Sequence, residues 1–236
     1  MPAKPSRRTT AAVDVYEVAD GQRHRHPDTV VREVEVWLKL DGRLRQRLFC
    51  LPANMEDLSA GYWASRGVAT SRPRVTHTAK AVVLSAQKLG AFSFPGPASD
   101  ITITEGQVLE FVEALDRDSQ VFRKTGGTHV VGLFCGSQVV SVEDVSRHCA
   151  VDKVIGLAIG EGLDLQRAVL VTSCRQTMST MLKAVNGHIP VVITVSAPTD
   201  LAIKKATESG VTLVGFARGQ RFNVYSHAWR IVRTPR

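Results

Sequence analysis

The sequence predicts an α/β fold with a mainly parallel sheet, helices on both faces, and a smaller β-rich part at the amino terminus. Three apolar runs, Ala168 to Thr172, Pro190 to Val195 and Val211 to Phe216, read as strands buried on both faces. Helical segments lie between them. Thr177 precedes Met178, Met181, Leu182 and Val185 before Asn186-Gly187 ends that segment, and Thr199 opens another that Gly210 stops. The amino-terminal part announces itself by alternation: Val34, Val36 and Leu38 interleave with Glu33, Glu35, Trp37 and Lys39 ahead of an Asp41-Gly42 turn.

The chain has 236 residues and a formal net charge of +8, which suggests a polyanionic partner. From Ser209 onward it contains no Asp or Glu, whereas Arg218, Arg221, Arg230, Arg233 and Arg236 all fall there. Zinc-finger spacing, an RNA-recognition aromatic motif and a basic helix before heptads are all missing, so a local anion site is expected rather than a nucleic-acid interface. No apolar run is long enough to span a bilayer, and the start resembles no secretory signal, so no membrane partner and a cytoplasmic location are expected. Cys50, Cys135, Cys149 and Cys174 are widely separated, with no C-x-x-C pair. They read as thiols of a reducing compartment, with no metal site.

In chain order, residues 1–29 read as a flexible or loosely docked arm, carrying Arg23-His-Arg-His-Pro27. Residues 30–103 read as the β-rich part with one helix, which Asn54 caps and Gly67 closes. A Pro- and Gly-bearing loop follows over Phe92 to Ser99. Residues 104–236 form the α/β domain. Thr104 opens a helix on which Val108, Phe111, Val112 and Leu115 share a face, and strands at His129 to Phe134 and Val139 to Val142 join across Gly136-Ser137.

The densest chemistry lies in Glu143 to Gly156, where Glu143, Asp144, Arg147, His148, Cys149, Asp152 and Lys153 run into an apolar helical pattern. A helix start favours anions through its unpaired N–H groups. Ligands of such sheets bind beyond the carboxyl ends of the strands. The residues expected to converge there are Ser173-Cys-Arg175, Ser196-Ala-Pro198, Ala217-Arg-Gly-Gln-Arg221 and Thr125-Gly-Gly-Thr-His129. Glycines, hydroxyls and arginines together suit pyrophosphate or a guanine nucleotide. A different reading of the same residues is an enzyme acting on a nucleotide, with His148 or His129 as general base and Asp144 or Asp152 orienting it.

Thr125-Gly-Gly-Thr-His, Glu143 to Gly156, Thr172-Ser-Cys-Arg, Val195-Ser-Ala-Pro-Thr and Gly215-Phe-Ala-Arg-Gly-Gln-Arg-Phe-Asn-Val-Tyr225 strongly resemble the formate dehydrogenase accessory sulfurtransferase family. The resemblance runs from about residue 30 to the end. It implies a cytidine-deaminase-like α/β domain, usually a homodimer, that binds the molybdenum or tungsten bis-pyranopterin guanine dinucleotide as cargo, with GDP or GMP as mimics. It also implies two partners: a cysteine desulfurase that supplies sulfur, and formate dehydrogenase, or a related oxidoreductase, that receives the sulfurated cofactor. Carried over by motif, Phe216, Ala217, Arg218, Gly219, Gln220 and Arg221 hold the guanine dinucleotide end, together with Gly126, Gly127, His129, Arg147, Ser173, Arg175 and Ser196. Deaminase activity is not implied, because the zinc-deaminase motifs are absent.

One departure bears on the chemistry. Members that transfer sulfur have a C-x-x-C loop before the helix opened by Thr104, and here Phe94-Pro-Gly-Pro-Ala98 stands in that place. Cys149 stands where the family commonly has Asn, and Cys174 where it commonly has Gly. With His148 beside the first, these two thiols are the candidate replacement sulfur carriers. Without such a replacement, the family role reduces to binding and delivering the cofactor.

Overall fold

A computed structural model describes residues 9–92 and 100–234. The Phe94-Pro-Gly-Pro-Ala98 segment lies outside the described residues.

The chain begins with a hairpin. Strands β1 (Thr10–Ala19) and β2 (Gln22–Val31) pair antiparallel from Thr10–Val31 to Ala19–Gln22, so the part of the expected flexible arm from Thr10 onward is a strand hairpin. Its signal was weak because most of its side chains are exposed on both faces, leaving no apolar alternation to read. Asp20 and Gly21 make the turn with positive φ at both positions.

Next, β3 (Val34–Leu40) and β4 (Arg43–Cys50) form the expected hairpin across Asp41 and Gly42, at φ 51° and 76°. Helix α1 (Met55–Ala64) follows, then β5 (Val68–Thr70), β6 (Arg74–His77), β7 (Val82–Ala86) and β8 (Lys88–Ala91). Four of these strands make a sheet in the order β4-β3-β7-β6, and β5 pairs with β8. One face of β3 and β7 packs Val36, Leu38 and Leu84 against Leu58, Tyr62 and Trp63 of α1.

In the second half, β9 (Ile103–Thr104) leads into α2 (Glu105–Arg117), opened by a reciprocal capping box between Thr104 and Gln107. Helix α3 (Gln120–Thr125) follows. The remaining elements are β10 (His129–Cys135), β11 (Gln138–Asp144), α4 (Arg147–Gly160), β12 (Val169–Thr172), α5 (Met178–Asn186), β13 (Val191–Thr194), α6 (Asp200–Glu208), β14 (Thr212–Arg218), β15 (Arg221–Ser226) and β16 (Ile231–Val232). The last of these pairs with β9.

The six-stranded sheet has the order β11-β10-β12-β13-β14-β15. Only the β12–β13 and β13–β14 neighbours pair parallel; β10 and β15 run antiparallel to them, and β11, beyond β10, runs again in their direction. The sheet is therefore mixed rather than mainly parallel. The reason is loop length: Gly136-Ser137 and Gly219-Gln220 are hairpin connections, which cannot return a strand in the same direction. Helices cover both faces as expected. Val108 and Leu115 of α2 pack on Val130, Val169 and Ile193, while α4, α5 and α6 cover Val131, Leu170, Val192 and Leu213 on the other side.

Helix α4 has no solvent side along most of its length, and residues 149–156 are all buried. One side faces the six-stranded sheet and the other faces α1. Their crossing is tight because Gly61 and Gly156 meet there. A Cβ on Gly61 would collide with the carbonyl of Asp152, and one on Gly156 with the carbonyl of Asp57. Both neighbours are backbone, so neither can move aside cheaply. Gly156→Ala is expected to destabilise the fold by about 1–3 kcal/mol through overpacking, read as a lowered urea midpoint; an unchanged midpoint contradicts this crossing.

Candidate functional site

Beyond β12, β13 and β14 the chain forms a cleft of about 490 Å³, lined by Val130, Ser173, Val195, Arg218 and Gly219, with the carboxyl-terminal half of α2 as its other wall. The β14–β15 connection supplies the basic lip. Gly219 adopts φ 59° and Phe216 φ 53°, a left-handed conformation unusual for an aromatic residue. The register between Gly215 and Arg218 is irregular, which swings the Arg218 guanidinium out to 5.9 Å from the Phe216 ring. Phe216 is pinned by its backbone N–H, which donates to the Ser196 carbonyl at 3.0 Å. Ala217 is buried beneath, and Gln220 and Arg221 are exposed on the turn.

Ser173 uses its hydroxyl to accept from the Val130 N–H at 3.0 Å, which ties the β12 loop to β10. Arg175 is exposed beside it. Arg147, the first residue of α4, has a buried Nε with no hydrogen-bond partner. His129 lies within the fields of Arg147 and Arg175, and burial first, then those cations, push it below the usual histidine range. Of the residues the strand-end rule named, Ser173, Arg218 and Gly219 line the cleft.

Other predicted residues have different duties. Gly126 closes α3 at φ 66°, and Gly127 lies against Val31 of β2, so neither lines the cleft. Glu143 accepts from the Val121 and Phe122 N–H groups at 2.7 and 2.8 Å and from the Thr128 hydroxyl at 2.9 Å. Asp144 is fully buried and meets Lys153 at 2.5 Å, while Lys153 also donates to the Leu51 carbonyl at 2.8 Å. The Ser146 and Leu51 N–H groups donate to the same carboxylate. Arg230 is buried too, donating to the Gly210 carbonyl.

A second cleft, of about 440 Å³, opens between β4, α1, α4 and α5. Its walls include Tyr62, Arg66, His148, Asp152 and Lys183, and Cys149 lies at its floor with only 1% of its surface exposed. Arg66 stacks over Tyr62 at 3.6 Å. Lys183 donates to Asp152 at 2.5 Å and to the His148 carbonyl at 2.9 Å, and Ser65 donates to the other Asp152 oxygen at 3.2 Å. Burial, followed by the nearby Lys183 and Arg147, pushes His148 below the usual histidine range. Sequence reasoning passed over Lys183 because a single lysine on an apolar helix carries no motif.

These contacts correct the acid–base reading. Lys153 holds Asp144, Lys183 holds Asp152, and no hydrogen bond joins His129 or His148 to either carboxylate. Cys174 is also unlike a sulfur carrier. It is 2% exposed, its Sγ lies 2.7 Å from the Thr172 hydroxyl, and burial pushes its thiol up. A carrier needs an accessible, acidified thiol. Among the described residues no cluster of three or more His, Cys, Asp or Glu is placed to hold a metal ion, and no helix is long and apolar enough to cross a membrane.

A family model described as FdhD/NarQ matches residues 78–232, well over half of the chain. The chain belongs to the FdhD/NarQ family. It is similar to the sulfur carrier protein FdhD of Methanothermobacter thermautotrophicus, 30% identical over 243 residues that cover 93% of this chain and 98% of that one. Similarity to the sulfur carrier protein FdhD of Streptomyces coelicolor is 31% over 271 residues, covering 95% and 96%. A crystal structure from Desulfotalea psychrophila, assigned as a formate dehydrogenase accessory protein, superposes with a TM-score of 0.83 at 24% identity, covering 95% of this chain and all of that one. That likeness is one of fold. Arg218, Ser173, His148 and Lys183 lie inside the matched range, whereas Tyr62 and Arg66 of the second cleft precede it.

The two histidines make a pH prediction. Folding lowers both, so on acidification the unfolded chain binds protons that the folded protein does not. Stability is therefore present above the ordinary histidine range and is lost as pH falls through the lowered values. The melting temperature is expected to fall between about pH 7 and pH 5, and to fall less in a His129→Gln, His148→Gln double variant. Equal slopes in the two proteins contradict this assignment.

Proposed function

We propose that this protein is an accessory factor for formate dehydrogenase maturation that binds the guanine-dinucleotide form of the molybdenum or tungsten cofactor as cargo. The strand-end cleft takes the nucleotide end, and the protein delivers the cofactor to the oxidoreductase. The observation that carries the reading is the convergence of Ser173, Val195 and the Arg218-Gly219 turn in one cleft beyond three parallel strands. Arg218 suits phosphate through a planar, bidentate fork, and Gly219 lets backbone approach it closely. Phe216 offers a ring for the base. Arg147, with its unpartnered Nε, adds a further cation at the start of α4.

The curated relatives are sulfur carriers, and a sulfur-carrying role extends naturally to this chain, with a cysteine desulfurase as donor. Residues 93–99 contain no cysteine, however, so a C-x-x-C carrier cannot operate there. Delivery of the cofactor does not depend on that loop. A homodimer and a cytoplasmic location complete the reading.

GDP titrated into the full chain by calorimetry is expected to bind, and Arg218→Ala to weaken it roughly ten- to a hundred-fold, about 1.5–3 kcal/mol. Equal GDP affinity in parent and variant contradicts the placement of the phosphates; no GDP binding by the parent contradicts the reading.

A further inference from the structure

The four-stranded sheet gives one face to α1, where Val36, Leu38 and Leu84 are buried. Alternate residues point to the opposite face. The pairing register arranges them in rows across the strands. In one row Arg47 of β4 lies opposite Trp37 of β3; in the next, two residues on, Lys39 of β3 lies across Ser85 of β7 from Arg74 of β6. Three cations therefore share two neighbouring rows. A groove of about 640 Å³ runs along this face, lined by Lys39, Arg74, Thr76 and Ser85 among others.

These cations have no partner within the fold. Among the described residues no carboxylate comes within ion-pair distance of Lys39, Arg47 or Arg74, whereas Arg72 beside them is held by Glu56. From Lys39 to Arg47 the chain carries Lys39, Arg43, Arg45 and Arg47 against Asp41 alone, and Asp41 accepts from the Lys88 N–H at 2.9 Å. Glu35, an acid on the same face, accepts from Trp37 Nε1 at 2.7 Å. Arg47 stacks over the Trp37 ring at 5.0 Å, which orients its guanidinium and leaves its N–H edge free for a carboxylate. Beside it, Phe49 is 57% exposed and Leu44 41%. Exposed aromatic and aliphatic side chains among arginines are the composition of a protein interface.

The chemistry narrows the occupant. A second copy of this face would bring cation against cation, which disfavours self-association here. Single-stranded nucleic acid needs rings open for base stacking, but Trp37 is covered by Arg47 and its N–H is taken, which leaves Phe49 alone. We propose that this outer sheet face docks an acidic, extended segment of a partner protein, with carboxylates on Arg47, Lys39 and Arg74 and apolar side chains on Phe49 and Leu44. The proposal goes beyond the cofactor reading and does not rest on it.

The test measures fluorescence anisotropy of a labelled peptide of about ten residues that alternates Glu with Val, titrated with the full chain. The parent is expected to bind it, less tightly as salt rises, and to bind a Gln-for-Glu version at least tenfold more weakly. Arg47→Glu and Arg74→Glu are each expected to weaken binding of the acidic peptide about tenfold, and Lys124→Glu, an exposed cation on α3, to leave it unchanged. Lys39→Glu and Arg74→Glu stack on no ring, so they carry the test if losing the Arg47–Trp37 contact disturbs the fold. Absence of binding by the parent, equal affinity for the Gln peptide, or equal loss in Lys124→Glu overturns the proposal. Tighter capture of oligodeoxythymidine through the same three cations overturns it in favour of nucleic acid.

Discussion

The architecture depends on the contact between Gly61 and Gly156. With a hydrogen at each position α1 and α4 approach backbone to backbone, and no side chain could be interposed without pushing them apart. That approach seats the four-stranded sheet, carried on α1, against the α/β half. It also buries α4 on both sides. A helix buried all round must be apolar or must pair what polar groups it carries, and α4 does both.

Its pairing explains why so dense a run of charge leaves so few groups for ligands. Asp144 and Lys153 join β11, α4 and the Leu51 carbonyl into one buried unit, and Asp152 with Lys183 ties α4 to α5. Buried pairs of this kind repay their desolvation only with good geometry and further hydrogen bonds, and breaking one is costly. Their work is therefore to hold the halves together. What remains at the helix start is Arg147, whose Nε is buried without a partner, and the half-buried His148. The helix start lines the second cleft, apart from the strand-end cleft, where the sequence suggested a single pocket.

Much of the α/β half was legible because buried strands between capped helices leave few alternatives. Thr104 and Gln107, Asp41 and Gly42, and Thr199 act as their chemistry requires. The β1–β2 hairpin was not legible, since exposed strands carry no alternation. The strand directions at the sheet edges followed from two short turns whose lengths were visible but not weighed. At the site, Ser173, Arg218 and Gly219 were found by the strand-end rule, whereas Gly126 and Gly127 were glycines for a helix stop and a close approach. The packing of Cys50 and Cys149 in one buried cluster had no signal in the chain at all. Only tertiary packing creates it.

The most direct test of the account is a crystal structure of the full chain with GDP. The account predicts phosphate density at the Arg218-Gly219 turn, near Ser173, with the base toward Phe216. Nucleotide seated instead between Arg66 and Lys183, with the strand-end cleft holding none, would contradict it.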